Sequence, residues 1–278
     1  MNIQEIIKLY NEGKSLNFIA NKYNTYGAKI KSILEKEGVK IRTRAEQNRI
    51  TNQERGKKVN HHYFDNIDSN RKAWILGFIA ADGNISSNRN RIKIGLSSID
   101  RQILENIKLA LESERDILDY ETNNGFKISE LCWSSENHKI QLAKYGIVPN
   151  KTYKEMHLPD FDFDLDKQLS FILGYFDGDG CFKDDGTTCR FEICSYRPEL
   201  LEDFAKVLNN FCNSDRKVYK DKSRKNYYTL TYSTKDARKI LDKLYTLGPG
   251  NMFLLRKYEK YRHWLERNRI YDSPHCLL

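Results

Sequence analysis

The chain contains two copies of a short apolar segment that ends in Asp-Gly. The first copy, ILGFIAADG, covers 75–83, and the second, ILGYFDGDG, covers 172–180, which is an offset of 97 residues. Leu96 and Ile193 end similar strand patterns, each fourteen residues after the last aspartate of its own copy. A repeat of about 100 residues predicts two similar halves related by a pseudo-twofold axis.

The similarity between the two copies extends beyond the motif. A helical pattern follows each strand pattern, and a strand-rich stretch and a last helix come after it. These segments are 100–111, 126–135 and about 136–145 in the first copy, and 197–211, 227–234 and about 235–247 in the second. The sequence therefore predicts an α+β fold with two αββαββα halves, at 67–160 and 161–278.

Each motif helix carries small residues four positions apart, which lie on one helix face. They are Gly77 and Ala81 in the first copy, and Gly174 and Gly178 in the second. Small residues let two backbones approach closely, and so we expect the two motif helices to pack on each other.

That packing would place Asp82 and Asp179 side by side at the C-terminal ends of their helices. A helix C-terminus carries roughly half a negative charge, and each carboxylate also faces the other. Such a cluster is stable when it is protonated or when it holds a cation. Carboxylate and carbonyl oxygens suit Mg²⁺ or Mn²⁺, and so the pair predicts a divalent metal site.

Residues 1–37 are predicted to form a small all-α domain of three short helices. Apolar residues recur at helical spacing, and Ser15 is a predicted N-cap for the second helix. A short second helix, a tight turn and a basic third helix are typical of a helix-turn-helix that binds DNA. The third helix would enter the major groove with its outer side, which carries Tyr26, Lys29, Lys31 and Ser32.

Residues 38–66 are rich in Lys and Arg and contain few core-forming side chains. We interpret them as a basic linker that is either a mobile tether or lies along phosphates. In the second case Arg42 and Arg44 would enter a minor groove. The charge supports a nucleic-acid partner, because 1–66 hold 13 Lys/Arg against 7 Asp/Glu in a chain of net charge +9.

The composition argues against several classes of protein. The sequence has no run of 18 apolar residues, and its start lacks the apolar segment of a secretory signal. The six cysteines have no CxxC or CxxH spacing, and we interpret them as reduced thiols rather than zinc ligands. We therefore expect no membrane partner and a cytoplasmic, nucleoid-associated protein that is not secreted.

The two Asp-Gly segments resemble the paired motifs of monomeric LAGLIDADG homing endonucleases, over about 71–265. The resemblance implies a monomer whose halves pack through the motif helices and whose sheets form a saddle over the DNA major groove. The eighth motif residue of each copy would bind the catalytic metal ions, and the carbonyl before it would face them. These residues are Asp82 and Asp179, with the carbonyls of Ala81 and Gly178.

Other family positions also have counterparts here. The sixth motif position is Ala80 in one copy and Asp177 in the other, and the resemblance implies a structural role for it. A basic residue after the last helix of each half, Lys151 or Lys257, would organise the attacking water or stabilise charge on the phosphate. Polar residues that organise water in the family fall near the strand ends, which here carry Ser97, Ser98, Cys194 and Ser195.

The resemblance also implies a reaction. Bound metal ions would activate water for in-line attack on a phosphodiester. Two sites, one for each strand, would cut a long DNA target across its minor groove and leave short 3′ overhangs. Side chains on the sheets would read base edges. Candidates for these contacts are Arg89, Arg91, Lys93, Lys217, Lys220, Lys222, Arg224, Lys225 and Tyr227.

Two other functions stay open. One is a DNA-binding transcriptional regulator on the same scaffold that does not cleave. Relatives of that kind carry the helix-turn-helix after the scaffold rather than before it, and the presence of both Asp82 and Asp179 favours an enzyme. The other is an RNA-splicing maturase whose basic surface binds folded intron RNA. The helix-turn-helix pattern favours duplex DNA instead.

Overall fold

The computed structural model of the chain consists of two compact units. One unit contains Met1–Lys58 and Leu118–Ile128, and the other contains Val59–Ile117 and Ser129–Leu278. The residues that the structure describes are 1–47, 50, 58–248, 252–270 and 272–275.

Three helices form the start of the chain: α1 (Ile3–Asn11), α2 (Leu16–Lys22) and α3 (Gly27–Lys36). The side chain of Ser15 accepts a hydrogen bond of 3.1 Å from the Phe18 N–H, and so it caps α2 as expected. The helices bury a small core of their own, made of Ile6, Tyr10, Ile19, Ala20, Ile30 and Leu34. The three helices predicted for 1–37 are confirmed.

The structure corrects the start of the predicted basic linker. Arg42 places its guanidinium over the ring of Tyr10, 3.9 Å from the ring centroid, and donates to the carbonyl of Lys14 at 2.7 Å. Val39 and Ile41 pack against the core of the three helices. The first residues of the linker therefore belong to the N-terminal unit.

The end of the predicted linker is also part of a core. Phe64 is completely buried in the core of the second unit. The N–H of Asn60 donates to the carbonyl of Leu111 at 2.8 Å, and the ring of His138 bonds to the carbonyl of Asn60 at 2.7 Å. Residues that fill a core and pair their backbone are not a tether, so the linker prediction for 38–66 is too long. Residues 48, 49 and 51–57 of that prediction lie outside the described residues.

The rest of the chain confirms the duplicated αββαββα pattern. The first half consists of α4 (Asn70–Asp82), β1 (Gly83–Ile85), β2 (Arg91–Ser97), α5 (Arg101–Ala110), β3 (Ile117–Glu121), β4 (Lys127–Ser134) and α6 (Glu136–Lys144). The second half consists of α7 (Leu165–Asp179), β5 (Gly180–Asp185), β6 (Thr188–Ser195), α8 (Pro198–Cys212), β7 (Tyr219–Lys220), β8 (Tyr228–Ser233) and α9 (Thr234–Leu247).

The two halves have four-stranded antiparallel sheets with the same strand order, β1-β2-β4-β3 and β5-β6-β8-β7. Gly83 lies opposite Ile94 in the first sheet, and Gly180 lies opposite Ile193 in the second. The predicted equivalence of Leu96 and Ile193 is therefore wrong by two residues. The cause is the second hairpin, whose strands are longer and whose turn is tighter than those of the first.

The two motif helices, α4 and α7, lie against each other at the small residues predicted to make this contact. A Cβ atom built on Gly77 would collide with the carbonyl of Phe171, and one on Gly174 would collide with the carbonyl of Trp74. Glycine is therefore required at both positions, because backbone of the facing helix occupies the space of any side chain. A Cβ on Gly178 would collide with the Cβ of Ala81.

A further helix, α10 (Leu255–Arg267), follows the second half and is missing from the sequence prediction. Its buried face carries Tyr258, Tyr261, Trp264 and Leu265. The charged residues between these positions conceal the apolar pattern. Among the described residues, no helix is both long and apolar enough to cross a membrane.

Candidate active site

Asp82 and Asp179 end the two motif helices and lie close enough for their charges to interact. A Cβ built on Gly178 would lie 3.2 Å from Oδ2 of Asp82, which places that carboxylate against the last turn of α7. Burial and the negative charge of Asp179 raise the pKa of Asp82 to about 6. Burial also raises the pKa of Asp179. Two carboxylates under this electrostatic strain, at the negative ends of two helices, attract a cation.

Lys151 lies at the same helix ends. Its side chain is nearly buried, and its Nζ donates to the carbonyl of Ala81 at 2.7 Å. Burial and the charge of Arg197 lower the pKa of Lys151 to about 8, while Asp179 and Asp82 oppose that shift. The Ala81 carbonyl, which was expected to face a metal ion, therefore accepts a hydrogen bond from an ammonium group in the structure.

Lys257, on α10, is held more tightly than Lys151. Its Nζ donates to the carbonyls of Phe176, Asp177 and Gly180 at 2.6, 2.7 and 2.6 Å. An ammonium group has three N–H donors, and these three bonds use all of them. Burial lowers the pKa of Lys257 to about 8. Lys257 thus joins α10 to the place where α7 ends and β5 begins; the Phe176 carbonyl also accepts the backbone N–H of Gly180.

Asp177 is completely buried inside the helix pair. Its Oδ2 accepts a hydrogen bond of 3.0 Å from the indole N–H of Trp74 on the facing helix. Burial raises the pKa of this carboxyl to about 7, and the charge of Lys257 opposes the rise. Asp177 therefore links the two motif helices, in agreement with the structural role expected for the sixth motif position.

Two arginines near the aspartates were missed by the sequence analysis. Arg197, at the start of α8, is almost completely buried and donates to the carbonyl of Ala80 at 3.2 Å and to the hydroxyl of Tyr175 at 2.9 Å. Arg256, next to Lys257, contacts the two carboxylate oxygens of Asp100 at 3.1 and 2.9 Å. In the sequence, Arg197 is marked only by its place shortly after the strand pattern that contains Ile193, and Arg256 only by its place before Lys257.

A pocket of about 290 Å³ opens beside Asp179. Two of the four predicted water-organising residues, Cys194 and Ser195, line it. Ser195 is engaged, because its Oγ bonds to the hydroxyl of Tyr175 at 3.1 Å and accepts the N–H of Arg197 at 3.1 Å. The other two, Ser97 at the end of β2 and Ser98 directly after it, do not line this pocket, and Ser98 accepts a hydrogen bond from Ser129.

The predicted base-reading cations on the first sheet share an acidic partner. Arg91 and Lys93, on β2, lie 3.6 and 2.9 Å from the carboxylate of Glu130 on β4. Glu130 itself is buried. On the second half, Lys220 lies over the ring of Tyr228 and Arg224 over that of Tyr227. The remaining candidates of both halves are exposed: Arg89, Lys217, Lys222 and Lys225.

The predicted DNA-contacting residues of the N-terminal unit divide into two groups. Tyr26, Lys29, Lys31 and Arg44 are exposed, so their contact with DNA stays a prediction. Arg42 holds the unit together through Tyr10, and a guanidinium engaged in this way is less available for a minor groove.

The donor set at the helix ends can be tested for its fit to Mg²⁺. The described residues hold no group of three or more His, Cys, Asp or Glu side chains that could bind a metal ion. Mg²⁺ is commonly held by one or two carboxylates, with waters and substrate phosphates completing its octahedral shell. Asp82 and Asp179 fit that mode of binding, in which the nucleic acid supplies part of the shell.

Comparison with known proteins agrees with this architecture. The family described as LAGLIDADG-like domain matches residues 69–137 and 166–245, which together exceed half of the chain. No curated protein sequence matches the chain.

Several solved structures are similar to this chain at low sequence identity. The N-terminal LAGLIDADG domain of WhiA is 19% identical, over 68% of this chain and 87% of that one, with a TM-score of 0.43. The homing endonuclease I-WcaI, bound to its DNA recognition sequence, is 13% identical over 70% and 87%, with a TM-score of 0.47. Full-length WhiA from Thermatoga maritima is 17% identical over 78% and 68%, with a TM-score of 0.45. Because both of its halves match the family sequence pattern, the chain belongs to the LAGLIDADG-like domain family.

Proposed function

We propose that the protein is a site-specific homing endonuclease that makes a metal-dependent double-strand break in a long DNA target. The observation that carries the proposal is the pair of carboxylates, Asp82 and Asp179, with raised pKa values at two touching helix ends. Two carboxylates this close together repel the phosphate chain, which disfavours them in a protein that only binds DNA. The pair fits a site that gathers divalent cations.

In this proposal Asp82 and Asp179 would hold Mg²⁺, and the DNA would supply phosphate oxygens to complete its shell. When bound, the ions supply Lewis-acid stabilisation of the phosphoryl oxygens and a water of lowered pKa. The close approach of the two helices at Gly77, which faces Phe171, and at Gly174, which faces Trp74, fixes the spacing of the two carboxylates. Two aspartates that are held in this way serve two nearby phosphates, one on each strand.

The two lysines have unequal roles in the proposed reaction. Lys151 donates a hydrogen bond to the carbonyl of Ala81 and lines the pocket beside Asp179. Of the neighbouring cations, Lys151 lowers the pKa of Asp179 the most, and Lys257 lowers the pKa of Asp82 the most. We assign to Lys151 the stabilisation of charge on the phosphate at Asp179. Lys257 positions the end of α7 and acts on the reaction through it.

The DNA would lie on the outer faces of the sheets. On β2 the buried residues alternate with outward-facing ones, so that Arg91 and Lys93 lie on the outer face. Glu130 between them offers an acceptor, which suits a cytosine amino group, while the cations suit guanine. The exposed third helix of the N-terminal unit would extend the recognised sequence as a helix-turn-helix.

The proposal can be tested with a plasmid library, Mg²⁺ and EDTA. We expect the wild-type protein to linearise plasmids at one site with Mg²⁺ and to leave them intact with EDTA. The variants Asp82→Asn and Asp179→Asn should lose double-strand cleavage and keep DNA binding. Asp162→Asn, at an exposed position outside the site, is the matched control and should cut normally. Wild-type cutting by either of the first two variants would refute the assignment of the metal ligands.

A second candidate function is a DNA-binding regulator that does not cleave. The observation in its favour is the Ala81 carbonyl, because it accepts the Lys151 ammonium rather than being open to a metal ion. The same assay distinguishes the two functions. Retarded but uncut DNA at every Mg²⁺ or Mn²⁺ concentration would support the regulator.

A further inference from the structure

A row of three tyrosines begins at the pocket beside Asp179, which Tyr227 and Tyr196 line, and continues past it to Tyr153. The ring centroids of Tyr153 and Tyr196 are 5.7 Å apart, and those of Tyr196 and Tyr227 are 5.1 Å apart. The guanidinium of Arg224 lies 4.9 Å from the centroid of Tyr227 and closes that end of the row. At the other end Tyr153 is 79% exposed, and Tyr196 is 39% exposed. The row therefore has one end held by a cation and one end open to solvent.

The pocket itself is cationic. Lys151, Arg197 and Arg224 line it, and Asp179 is the one acidic residue among its lining side chains. Arg197 is 4% exposed. The three cations of this lining outnumber its one carboxylate. The pocket therefore suits an anionic group, next to a surface that suits a flat ring.

We infer that the Asp179 pocket and the tyrosine row form a subsite for one unpaired nucleotide of single-stranded DNA. The phosphate lies against Lys151 and Arg224, and the base stacks on the open ring faces of Tyr196 or Tyr153. The inference rests on the proposed function, since the unpaired nucleotide is the one next to the phosphate that is cut at Asp179.

Stacking explains why the occupant is an unpaired base. In a duplex, neighbouring base pairs cover both faces of each base, so that only a displaced nucleotide offers a free face to a tyrosine ring. Every base has such a face, and binding of this kind tolerates any sequence. At about 290 Å³ the pocket lies at the lower end of the range for small ligands, which fits part of one nucleotide rather than a longer segment.

The inference can be tested by fluorescence anisotropy in EDTA, so that no cleavage takes place. The probes are a labelled 12-nucleotide oligothymidylate, an oligouridylate of the same length and a 30-base-pair duplex. The double variant Tyr153→Ala/Tyr196→Ala should bind oligothymidylate roughly fivefold to 100-fold more weakly than wild type, the loss expected for one base–aromatic stack. Its duplex affinity should stay within twofold of wild type.

Matched variants separate the ring from its hydroxyl group. Tyr153→Phe/Tyr196→Phe keeps both rings and should bind oligothymidylate as wild type does. Phe163→Ala removes an exposed aromatic ring from another element and should have no effect. Circular dichroism and urea unfolding check that all variants fold.

Three results would overturn the inference: equal oligothymidylate binding by the Ala variant and wild type, equal losses for the Phe and Ala variants, or a larger loss for the duplex than for the single strand. Tighter binding of oligouridylate than of oligothymidylate would assign the subsite to RNA and refute the DNA occupant. Because the assay excludes cleavage, a failed endonuclease test leaves its outcome unchanged.

Discussion

Replacing Lys257 with Met tests whether this lysine is chiefly a structural cation. The variant keeps the unbranched apolar stem and removes three charge-assisted hydrogen bonds, to the carbonyls of Phe176, Asp177 and Gly180. It also leaves the buried carboxyl of Asp177 without the cation that opposes the rise of its pKa. Removing one partner of a buried charge interaction costs roughly 3–5 kcal/mol in free energy of unfolding.

Lys151→Met provides the matched comparison. Lys151 is also nearly buried, but its Nζ makes one hydrogen bond, to the carbonyl of Ala81. Loss of one bond to a charged donor lowers the free energy of unfolding by about 2 kcal/mol. Lys206→Met changes an exposed lysine that pairs with Asp203, and its effect should be the smallest of the three.

Urea unfolding followed by tryptophan fluorescence reports on the stability of the second unit, which contains both lysines. Trp74, Trp133 and Trp264 are all buried, and all belong to the second unit. At a slope near 3 kcal/mol per molar urea, the Lys257→Met midpoint should fall by about 1 to 2 M. A Lys257→Met midpoint equal to that of Lys206→Met would refute the structural role, and so would a Lys151→Met protein that is the less stable of the two.

Three other perturbations test separate parts of the structure. Gly174→Ala should lower the free energy of unfolding by about 1–3 kcal/mol, because the added Cβ would collide with the Trp74 carbonyl. An unchanged midpoint in urea unfolding would contradict this expectation. The folded-state pKa of Asp177 is raised to about 7 from 3.8, so its contribution to stability is present at low pH and declines as the pH rises from about 4 to 7. Asp177→Asn should reduce that decline. If the free energy of unfolding changed equally with pH in both proteins, the raised pKa of Asp177 would be refuted. Deleting 1–58 removes 13 Lys/Arg and 6 Asp/Glu, a net charge of +7, so the affinity for DNA should fall with a shallower salt dependence; full affinity and an unchanged footprint would exclude a DNA-reading role.

The architecture could be predicted from the sequence because its signals are local and occur twice. The Asp-Gly motifs, the four-residue spacing of Gly77 and Ala81, and the alternation along the strands all depend on residues close together in the chain. Each of them recurs in the second copy, which makes a chance pattern improbable. The equivalence of Leu96 and Ile193 failed because a repeat offset measured at the motif does not detect a change in hairpin length.

The parts of the site that escaped prediction are contacts between residues far apart in the chain. Arg197 joins the site because α8 begins beside the end of α4, and no spacing rule connects it with Ala80. The tyrosine row combines Tyr153, Tyr196 and Tyr227 from three separate segments. The family resemblance pointed to Lys257 as a site residue. Its three carbonyl contacts were not predicted, because they depend on α10, whose many charged residues conceal the apolar face of the helix.

The attachment of α10 to the end of α7 also limits how the protein can be divided. A designer who wished to build a symmetric homodimer from the second copy would naturally end it at Leu247, where the repeat itself ends. That fragment would leave the carbonyls of Phe176, Asp177 and Gly180 without the ammonium group that donates to them. A second half that keeps these contacts therefore has to extend through Arg267, the end of α10. The sequence repeat is shorter than the structural unit that could be transferred to another protein.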